Sequence, residues 1–172
     1  MHHLANVNVA TLRAPIDDPL VADFVAGLPV VNALADAAPG FVWRLQTEEG
    51  DATSIRAFPD PAVIVNLTVW ESIEALKEFT YKGGHLDVFR RRREWFHAEG
   101  RGLALWWIEA GTVPTVEDAR RRLDHLAVHG PTPRAFTFAS TFPPPDAASA
   151  AGQAAAGLAT GDDHVVRTSS RR

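Results

Sequence analysis

The chain has 172 residues, of which 46% are hydrophobic and 22% charged, and this is the composition of a soluble globular protein with one core. The net charge of −4 at pH 7 argues against a dedicated nucleic-acid binder, and the absence of cysteine excludes disulfide bonds and thiolate metal ligands. No apolar run reaches the roughly 20 residues of a membrane-spanning helix, and the N-terminus lacks the regions of a signal peptide. We therefore expect a cytoplasmic protein with no membrane partner.

The first third of the chain predicts a strand, a helix and a second strand. Residues 3–12 alternate in polarity, which is typical of a strand. Asp18 followed by Pro19 predicts the start of a helix, because Asp caps the free amides and proline at the first position loses no hydrogen bond. Pro39–Gly40 ends this helix, and Phe41–Gln46 follows as a short strand.

The middle of the chain predicts a second β-α-β set. Val63–Trp70 is rich in β-branched residues and predicts a central strand. Ser72 caps the next helix, which is interrupted at Gly83–Gly84 and carries an arginine run at 90–93. Leu103–Ile108 predicts the fourth strand.

The last part of the chain predicts one more helix and then a tail. Pro114 and the capping box Thr115-x-x-Asp118 open a helix that closes at Gly130–Pro131. Residues 135–138 fit a short edge strand. Residues 143–172 are rich in proline, alanine and glycine and have almost nothing to bury, so we expect a disordered tail after a domain spanning 1–142.

The order β-α-β-β-α-β, followed by a C-terminal helix, predicts an α+β fold of the ferredoxin-like split βαβ type. In this arrangement the first and third strands lie in the centre of an antiparallel sheet, with both helices on one face. We expect the other face to be open and apolar, which usually marks an interface. Two such faces packed together would make a homodimer, a dimeric α/β barrel.

Five segments carry a resemblance to a known family: HLANVNVATLRAPIDDP, NLTVWESIEALKEFTYKGGH, RRRREWF, LWWIEAG and HGPTPRAFTF. Over residues 3–142 the chain resembles the bacterial family catalogued as domain of unknown function 3291. This family is similar to the antibiotic-biosynthesis monooxygenases of the dimeric α/β-barrel superfamily. The resemblance implies a monooxygenase, or a related oxidoreductase, isomerase or cyclase, that acts on an aromatic or polyketide-like metabolite.

The resemblance also implies which residues act and that no cofactor is needed. In the quinone-forming monooxygenases an electron-rich phenol reduces oxygen itself, without metal or flavin; haem, which some branches of the superfamily use, is the alternative. Those enzymes carry an asparagine and, four residues later, a tryptophan on the third strand, matched here by Asn66 and Trp70. Arg90 matches an arginine of the following helix. The tyrosine expected early in that helix is absent, and Tyr81 lies further on.

Independently of the resemblance, two of the predicted strands carry a polar patch. Asn6 and Asn8 share one face of the first strand, and Asn66 and Thr68 share one face of the third, because strand side chains alternate. Buried amides without partners cost about 1–3 kcal/mol each. These groups therefore bond one another, hold water or bind a ligand.

The helix after Gly84 carries two polar residues, His85 and Arg92, in the centre of its apolar arc. His85 is the best candidate for acid–base work because histidine titrates near neutrality, although it could instead cap the helix, fill a core position or ligate haem iron. An inward Arg92 requires a carboxylate, helix-end carbonyls or an anionic ligand. Its position favours Arg92 as the pocket arginine, whereas the resemblance favours Arg90.

Five tryptophans indicate a large aromatic core, a dimer interface or a slot for a flat ligand. Trp106 and Trp107 must face opposite sides of their strand. We predict a small hydrophobic or aromatic ligand and no metal, with contacts from Asn6, Asn8, Thr68, Arg92, Trp43 and Phe89. The alternative is a non-catalytic binder or a sheet-mediated assembly module, and a cavity reaching Asn66, Trp70 and His85 would favour the enzyme.

Overall fold

The computed structural model describes residues 1–82, 85–99 and 102–146, with the backbone alone at residues 85–89. Four strands form one antiparallel sheet in the order β2-β3-β1-β4: β1 (His2–Thr11), β2 (Phe41–Arg44), β3 (Val63–Trp70) and β4 (Gly102–Glu109). The helices are a 3₁₀ turn (Pro19–Val21), α1 (Ala22–Asp36), α2 (Ile73–Tyr81), α3 (His85–Trp95) and α4 (Val116–His129). This order confirms the ferredoxin-like α+β prediction.

The predicted helix starts are confirmed by their caps. Asp18 accepts a hydrogen bond from the amide of Leu20 at 2.8 Å, and Ser72 accepts one from the amide of Ala75 at 3.1 Å. At the start of α4, Thr115 and the residue three places later cap each other reciprocally. These bonds satisfy amides that the first turn of a helix leaves without an internal partner.

The strand register determines which side chains share a face. Asn6 lies opposite Thr68 of β3, and Asn8 lies opposite Asn66. We call this side of the sheet the cavity face. Ala5, whose neighbours on the adjacent strands are Val69 and Trp106, lies on the other side, which we call the α4 face. The predicted polar patch is therefore confirmed as one surface.

The α4 face is covered within one chain, so the expectation of an open sheet face is wrong. Ala119 of α4 belongs to one core cluster with Val7, Leu67 and Trp106, all of them at most 1% exposed. The connection between β2 and β3 adds Phe58 to the same cluster. Two chains could pair through these faces only if α4 left its place.

The cavity face is covered by α1, α2 and α3 and by the segment that follows α4. Phe136 of that segment exchanges two backbone hydrogen bonds with Leu105, of 2.8 and 2.9 Å, at the outer edge of β4. The predicted extra edge strand is thus a single bridged pair. Trp107 lies on this face and donates to the carbonyl of Phe142 at 2.7 Å, whereas Trp106 lies on the α4 face. The two tryptophans therefore face opposite sides of their strand, as predicted.

The stretch Pro19–Asp36 is, among the described residues, long and apolar enough by composition to cross a membrane. These 18 residues have a mean hydropathy of 1.3, whereas the sequence analysis expected no membrane-spanning stretch. Length and composition alone are weak evidence, and α1 itself has 15 residues, about 22 Å at 1.5 Å per residue, against roughly 30 Å of membrane hydrocarbon. One side of α1 lines the cavity described next.

Candidate functional site

A cavity of about 510 Å³ lies between the cavity face of the sheet and the three helices that cover it. This volume falls within the roughly 300–1,000 Å³ typical of small-molecule sites. Most of its wall is aliphatic or aromatic: Phe24, Leu28, Val31, Phe79, Phe96 and Phe138. Such a wall suits a largely apolar molecule with few polar atoms.

The floor of the cavity carries four linked side chains, which we call the donor chain: Asn8, Asn6, Thr68 and Trp70. Asn8 Nδ2 donates to Asn6 Oδ1 at 3.4 Å, and Asn6 Nδ2 donates to Thr68 Oγ1 at 3.1 Å. Trp70 Nε1 donates to the same Thr68 oxygen at 2.9 Å. Asn6 is 2% exposed and Thr68 6%. Mutual hydrogen bonding, one of the three possibilities for these polar groups, is therefore realised within the donor chain.

The indole of Trp70 is held from two sides. The ring of Phe41 meets it nearly edge-on at a centroid distance of 5.3 Å, and the ring of Phe79 lies tilted against it at 5.1 Å. Trp70 is fully buried. Its N–H group, to which the resemblance assigns a part in the reaction, is bonded to Thr68 inside the protein.

Asn66 differs from the donor chain in its surroundings. It lines the cavity one register pair from Asn6, directly opposite Asn8, but its side chain is exposed. Within the described part of the chain, the side-chain amide of Asn66 makes no hydrogen bond. Asn66 therefore lies where a ligand entering the cavity could meet it.

The arginine run of α3 is divided between the cavity and the surface. Arg92 is half-buried and lines the cavity, whereas Arg90 is exposed and lies outside the described cavity wall. Arg91 donates to Asp23 of α1 at 2.8 Å and also to Glu94, and these two bonds raise the pKa of Arg91. The run thus ties α3 to α1 through Arg91 and presents Arg92 to the cavity.

Of the remaining predicted site residues, two have side chains outside the described residues and one lies on the other face of the sheet. The side chains of His85 and Phe89 lie outside the described residues, so their predicted roles stay predictions. Trp43 packs on the α4 face of the sheet, away from the cavity. The residues that do come together on the cavity wall are Asn6, Asn8, Asn66, Thr68, Trp70 and Arg92.

Arg44 lies in the site but is not among the residues predicted from the sequence. It lies opposite Thr68 and lines the cavity, with Nε and Nη2 donating to Asp36 at 2.8 and 3.1 Å and Nη1 donating to the carbonyl of Gly50 at 2.7 Å. A register shift in β2 between Phe41 and Trp43 puts these two rings on opposite faces. Simple alternation would place them together, and an irregularity of this kind leaves no clear signal in the sequence.

Tyr81, the only tyrosine of the chain, also lines the cavity. It stands at the C-terminal end of α2 and meets Phe138 edge-on at 5.9 Å. The resemblance called for a tyrosine earlier in this helix, so the phenol reaches the cavity from a different position. Among the described residues, no cluster of three or more His, Cys, Asp or Glu side chains could hold a metal ion.

The sequence profile described as "Domain of unknown function (DUF3291)" matches residues 3–152. No curated protein matches the chain. Among solved structures, SnoaB, a cofactor-independent oxygenase from Streptomyces nogalater, is similar with 20% identity and a TM-score of 0.44, over 66% of this chain and 98% of that chain. A candidate antibiotic biosynthesis monooxygenase from Nitrosomonas europaea has 13% identity and a TM-score of 0.47, over 64% and 94% of the two chains. A protein from Pseudomonas aeruginosa has 14% identity and a TM-score of 0.46, over 64% and 97%.

Proposed function

Since the chain belongs to the DUF3291 family, whose description names no activity, we propose a function from the cavity itself. The protein is a small-molecule enzyme whose substrate is a flat, largely apolar aromatic or polyketide-like compound. The observation that carries this proposal is the donor chain, which lies on one side of a cavity whose other walls are mainly aliphatic and aromatic.

The distribution of polar groups supports a flat ligand. Asn8, Asn66 and Thr68 all lie on the sheet side of the cavity, whereas α1 and α2 contribute mainly apolar side chains. A ring system with oxygen atoms along one edge would match both sides. Arg92 also lines the cavity, and its positive charge favours a ligand that carries negative charge, such as a phenolate. Arg44 lines the cavity too, but its charge is balanced by the ion pair with Asp36.

The reaction that we propose is oxygenation without a cofactor, as the resemblance implies. A ring methylene beside a phenol or its keto form would take one atom of O₂ to become a carbonyl, and the second oxygen atom would leave as water with the two hydrogens. The electrons come from the substrate, so the protein has to bind it and favour its anion. Arg92 and the hydroxyl donors of the cavity support this role because they stabilise negative charge.

Oxygen uptake with anthrone as the probe tests this reaction. We expect uptake above the rate of anthrone in buffer, with anthraquinone as the product. Native mass spectrometry and an absorption spectrum of freshly purified protein would show haem, flavin or a retained metabolite. A bound haem or flavin, or a rate equal to that in buffer, would contradict the cofactor-independent reaction.

A non-catalytic binder is the second candidate, and one observation favours it. The Trp70 N–H and one hydrogen of the Asn6 amide are already used inside the protein. Stable binding of a flat aromatic compound without turnover would support the binder over the enzyme. The assembly module is not proposed, because α4 occupies the sheet face that it would need.

We retain the homodimer as a proposal but place it on another surface. The outer side of α1 is an exposed stripe without charge: Ala26, Pro29, Val30, Ala33, Leu34 and Ala37. Val30 is 64% exposed, and Val42 of the neighbouring strand β2 is 41% exposed. An uncovered apolar stripe of this kind favours an interface. Sedimentation should give a dimer that Val30→Arg dissociates, and a monomer at micromolar concentration would refute it.

A further inference from the structure

We infer that the Thr68 hydroxyl is the hydrogen-bond donor to the ligand, and that the ligand is a fused-ring aromatic compound with a carbonyl or phenolate oxygen. Trp70 is then a positioning residue that holds Thr68. This inference rests on the proposed function and names the ligand chemistry of the same cavity.

The hydrogen bonds around Thr68 leave its hydroxyl hydrogen without an acceptor among the described residues. A threonine hydroxyl has one hydrogen to donate and can accept two hydrogen bonds. Asn6 Nδ2 and Trp70 Nε1 both donate to Thr68 Oγ1, so they occupy the acceptor positions and cannot accept its hydrogen. The described residues offer this hydroxyl no acceptor, and Thr68 forms part of the cavity wall. Its hydrogen is thus available to a molecule in the cavity.

Turning the Asn6 amide over would not close the donor chain. Thr68 would then donate to Asn6 Oδ1, Asn6 would donate to Asn8, and the amino group of Asn8 would become the open donor. In either arrangement at least one hydrogen of the donor chain has no acceptor among the described residues, since each asparagine amino group also carries a second hydrogen. The arrangement in the structure places the open donor at Thr68, the more deeply buried of the two residues.

The open group is an O–H, so the ligand atom that meets it must be an acceptor. Two N–H bonds to the same oxygen polarise the hydroxyl and strengthen it as a donor. A carbonyl oxygen, or a phenolate oxygen that carries negative charge, makes the best use of such a donor. The rings of Phe79, Phe96 and Phe138 on the cavity wall favour a fused aromatic system around that oxygen.

The role of Trp70 follows from its single N–H. That hydrogen points to Thr68 Oγ1 at 2.9 Å, and the indole is fully buried between Phe41 and Phe79. The indole N–H has no second hydrogen with which to bind a ligand oxygen. Trp70 therefore acts on the ligand through Thr68.

A matched pair of probes tests this assignment. 9-Fluorenone and fluorene share the same fused rings, and only the first has a carbonyl oxygen. By calorimetry the parent protein should bind 9-fluorenone roughly 2- to 12-fold more tightly than fluorene, the effect of one neutral hydrogen bond. The infrared carbonyl stretch of bound 9-fluorenone should lie below its value in an apolar solvent.

Four variants separate Thr68 from its neighbours. Thr68→Val should abolish both the affinity difference and the infrared shift, whereas Thr68→Ser should keep both. Trp70→Phe should keep an infrared shift, because it leaves the hydroxyl in place. Thr80→Val is the matched control, since the Thr80 hydroxyl lines the same cavity but donates to the carbonyl of Leu76 at 2.7 Å.

The outcomes distinguish the inference from the proposed function. An infrared shift that persists in Thr68→Val would overturn the inference and point to another donor such as Asn8. Equal affinities for the two probes would also overturn it while leaving the cavity as a binding site. Binding of neither probe to the parent would refute the proposed function itself. If Thr68→Val does not fold, Thr68→Ala, which leaves room for a water beside the two N–H donors, serves in its place.

Discussion

Replacing Gly27 by leucine should close the cavity without harming the fold. Gly27 lies within α1 and lines the cavity, and a Cβ atom built on it meets no atom within 4 Å. A larger side chain at this position therefore grows into empty space. Ala22, at the start of α1, is exposed and lies outside both the cavity wall and the proposed dimer stripe, so Ala22→Leu is a matched control that adds a large side chain away from the cavity.

The size of each effect can be estimated. Glycine is about 0.8–1 kcal/mol less favourable than alanine inside a helix, and leucine is close to alanine, so Gly27→Leu should raise the free energy of unfolding by about 0.5–1 kcal/mol. The four added carbon atoms would displace ligand groups of similar size. At about 0.8 kcal/mol per buried methylene group, this costs about 3 kcal/mol, or about 200-fold in Kd.

Urea unfolding and calorimetric titration with 9-fluorenone measure the two effects. We expect Gly27→Leu to unfold at slightly higher urea concentration than the parent and to bind the probe too weakly to detect. Ala22→Leu should bind like the parent. Loss of more than 1 kcal/mol of stability in Gly27→Leu would mean that the space beside Gly27 is filled. Unchanged binding in a stable Gly27→Leu variant would place the ligand elsewhere.

Four further predictions concern stability. Thr115→Ala removes the reciprocal cap of α4 and should cost about 1 kcal/mol in urea unfolding; a cost below 0.3 kcal/mol, a threshold well under the usual range for such caps, would contradict it. The bonds from Thr115 lower the pKa of Asp118, so the ionised carboxylate stabilises the fold above the ordinary carboxyl range near pH 4, and this stabilisation is lost as the pH falls through the lowered pKa. The difference in unfolding free energy between the parent and Asp118→Asn should therefore shrink on acidification, and a constant difference would refute this. Gly40→Ala should destabilise by more than about 1 kcal/mol, because Gly40 has φ +75° and an added Cβ would lie 2.7 Å from the Cβ of Ala75; an unchanged melting temperature would show that the turn can relax. Deletion of residues 143–172 should leave the melting temperature within about 2 °C of the parent, and a larger fall would assign the tail a structural role.

Local patterns in the sequence predicted most of the fold. Alternation placed Asn6 and Asn8 on one face of β1, and the caps at Asp18 and Thr115 marked where two helices begin. These signals depend on neighbouring residues only, and so they can be read without a structure. The central position of β1 then followed from the order of the elements.

The position of α4 could not be predicted in the same way. Val116, Ala119 and Leu123 recur at three- and four-residue spacing, which predicts that one side of the helix is buried, and Ala119 is indeed in the core. A periodic pattern does not say which surface covers it. The sequence therefore predicts that this sheet face pairs with a second chain, and it does not predict that α4 packs on it.

Residue type, and not geometry, singled out the candidate site residues, and their roles stay predictions. Asn66, Thr68 and Trp70 come together at the cavity as expected. The bond from the indole to Thr68 depends on two side-chain rotamers and on the rings of Phe41 and Phe79, which come from separate elements. No short-range pattern carries that information.

The central place of β1 has a consequence for how the protein is made. Leu4 pairs with Trp70 and with Trp107, which lie 66 and 103 residues further along the chain. The ribosome therefore synthesises β1, a central strand of the sheet, long before its neighbours β3 and β4. Pairing between strands so far apart in sequence is slow. Nascent chains that stop before β4 should remain sensitive to protease, and the apolar residues of β1 would be exposed in them to aggregation or to chaperones.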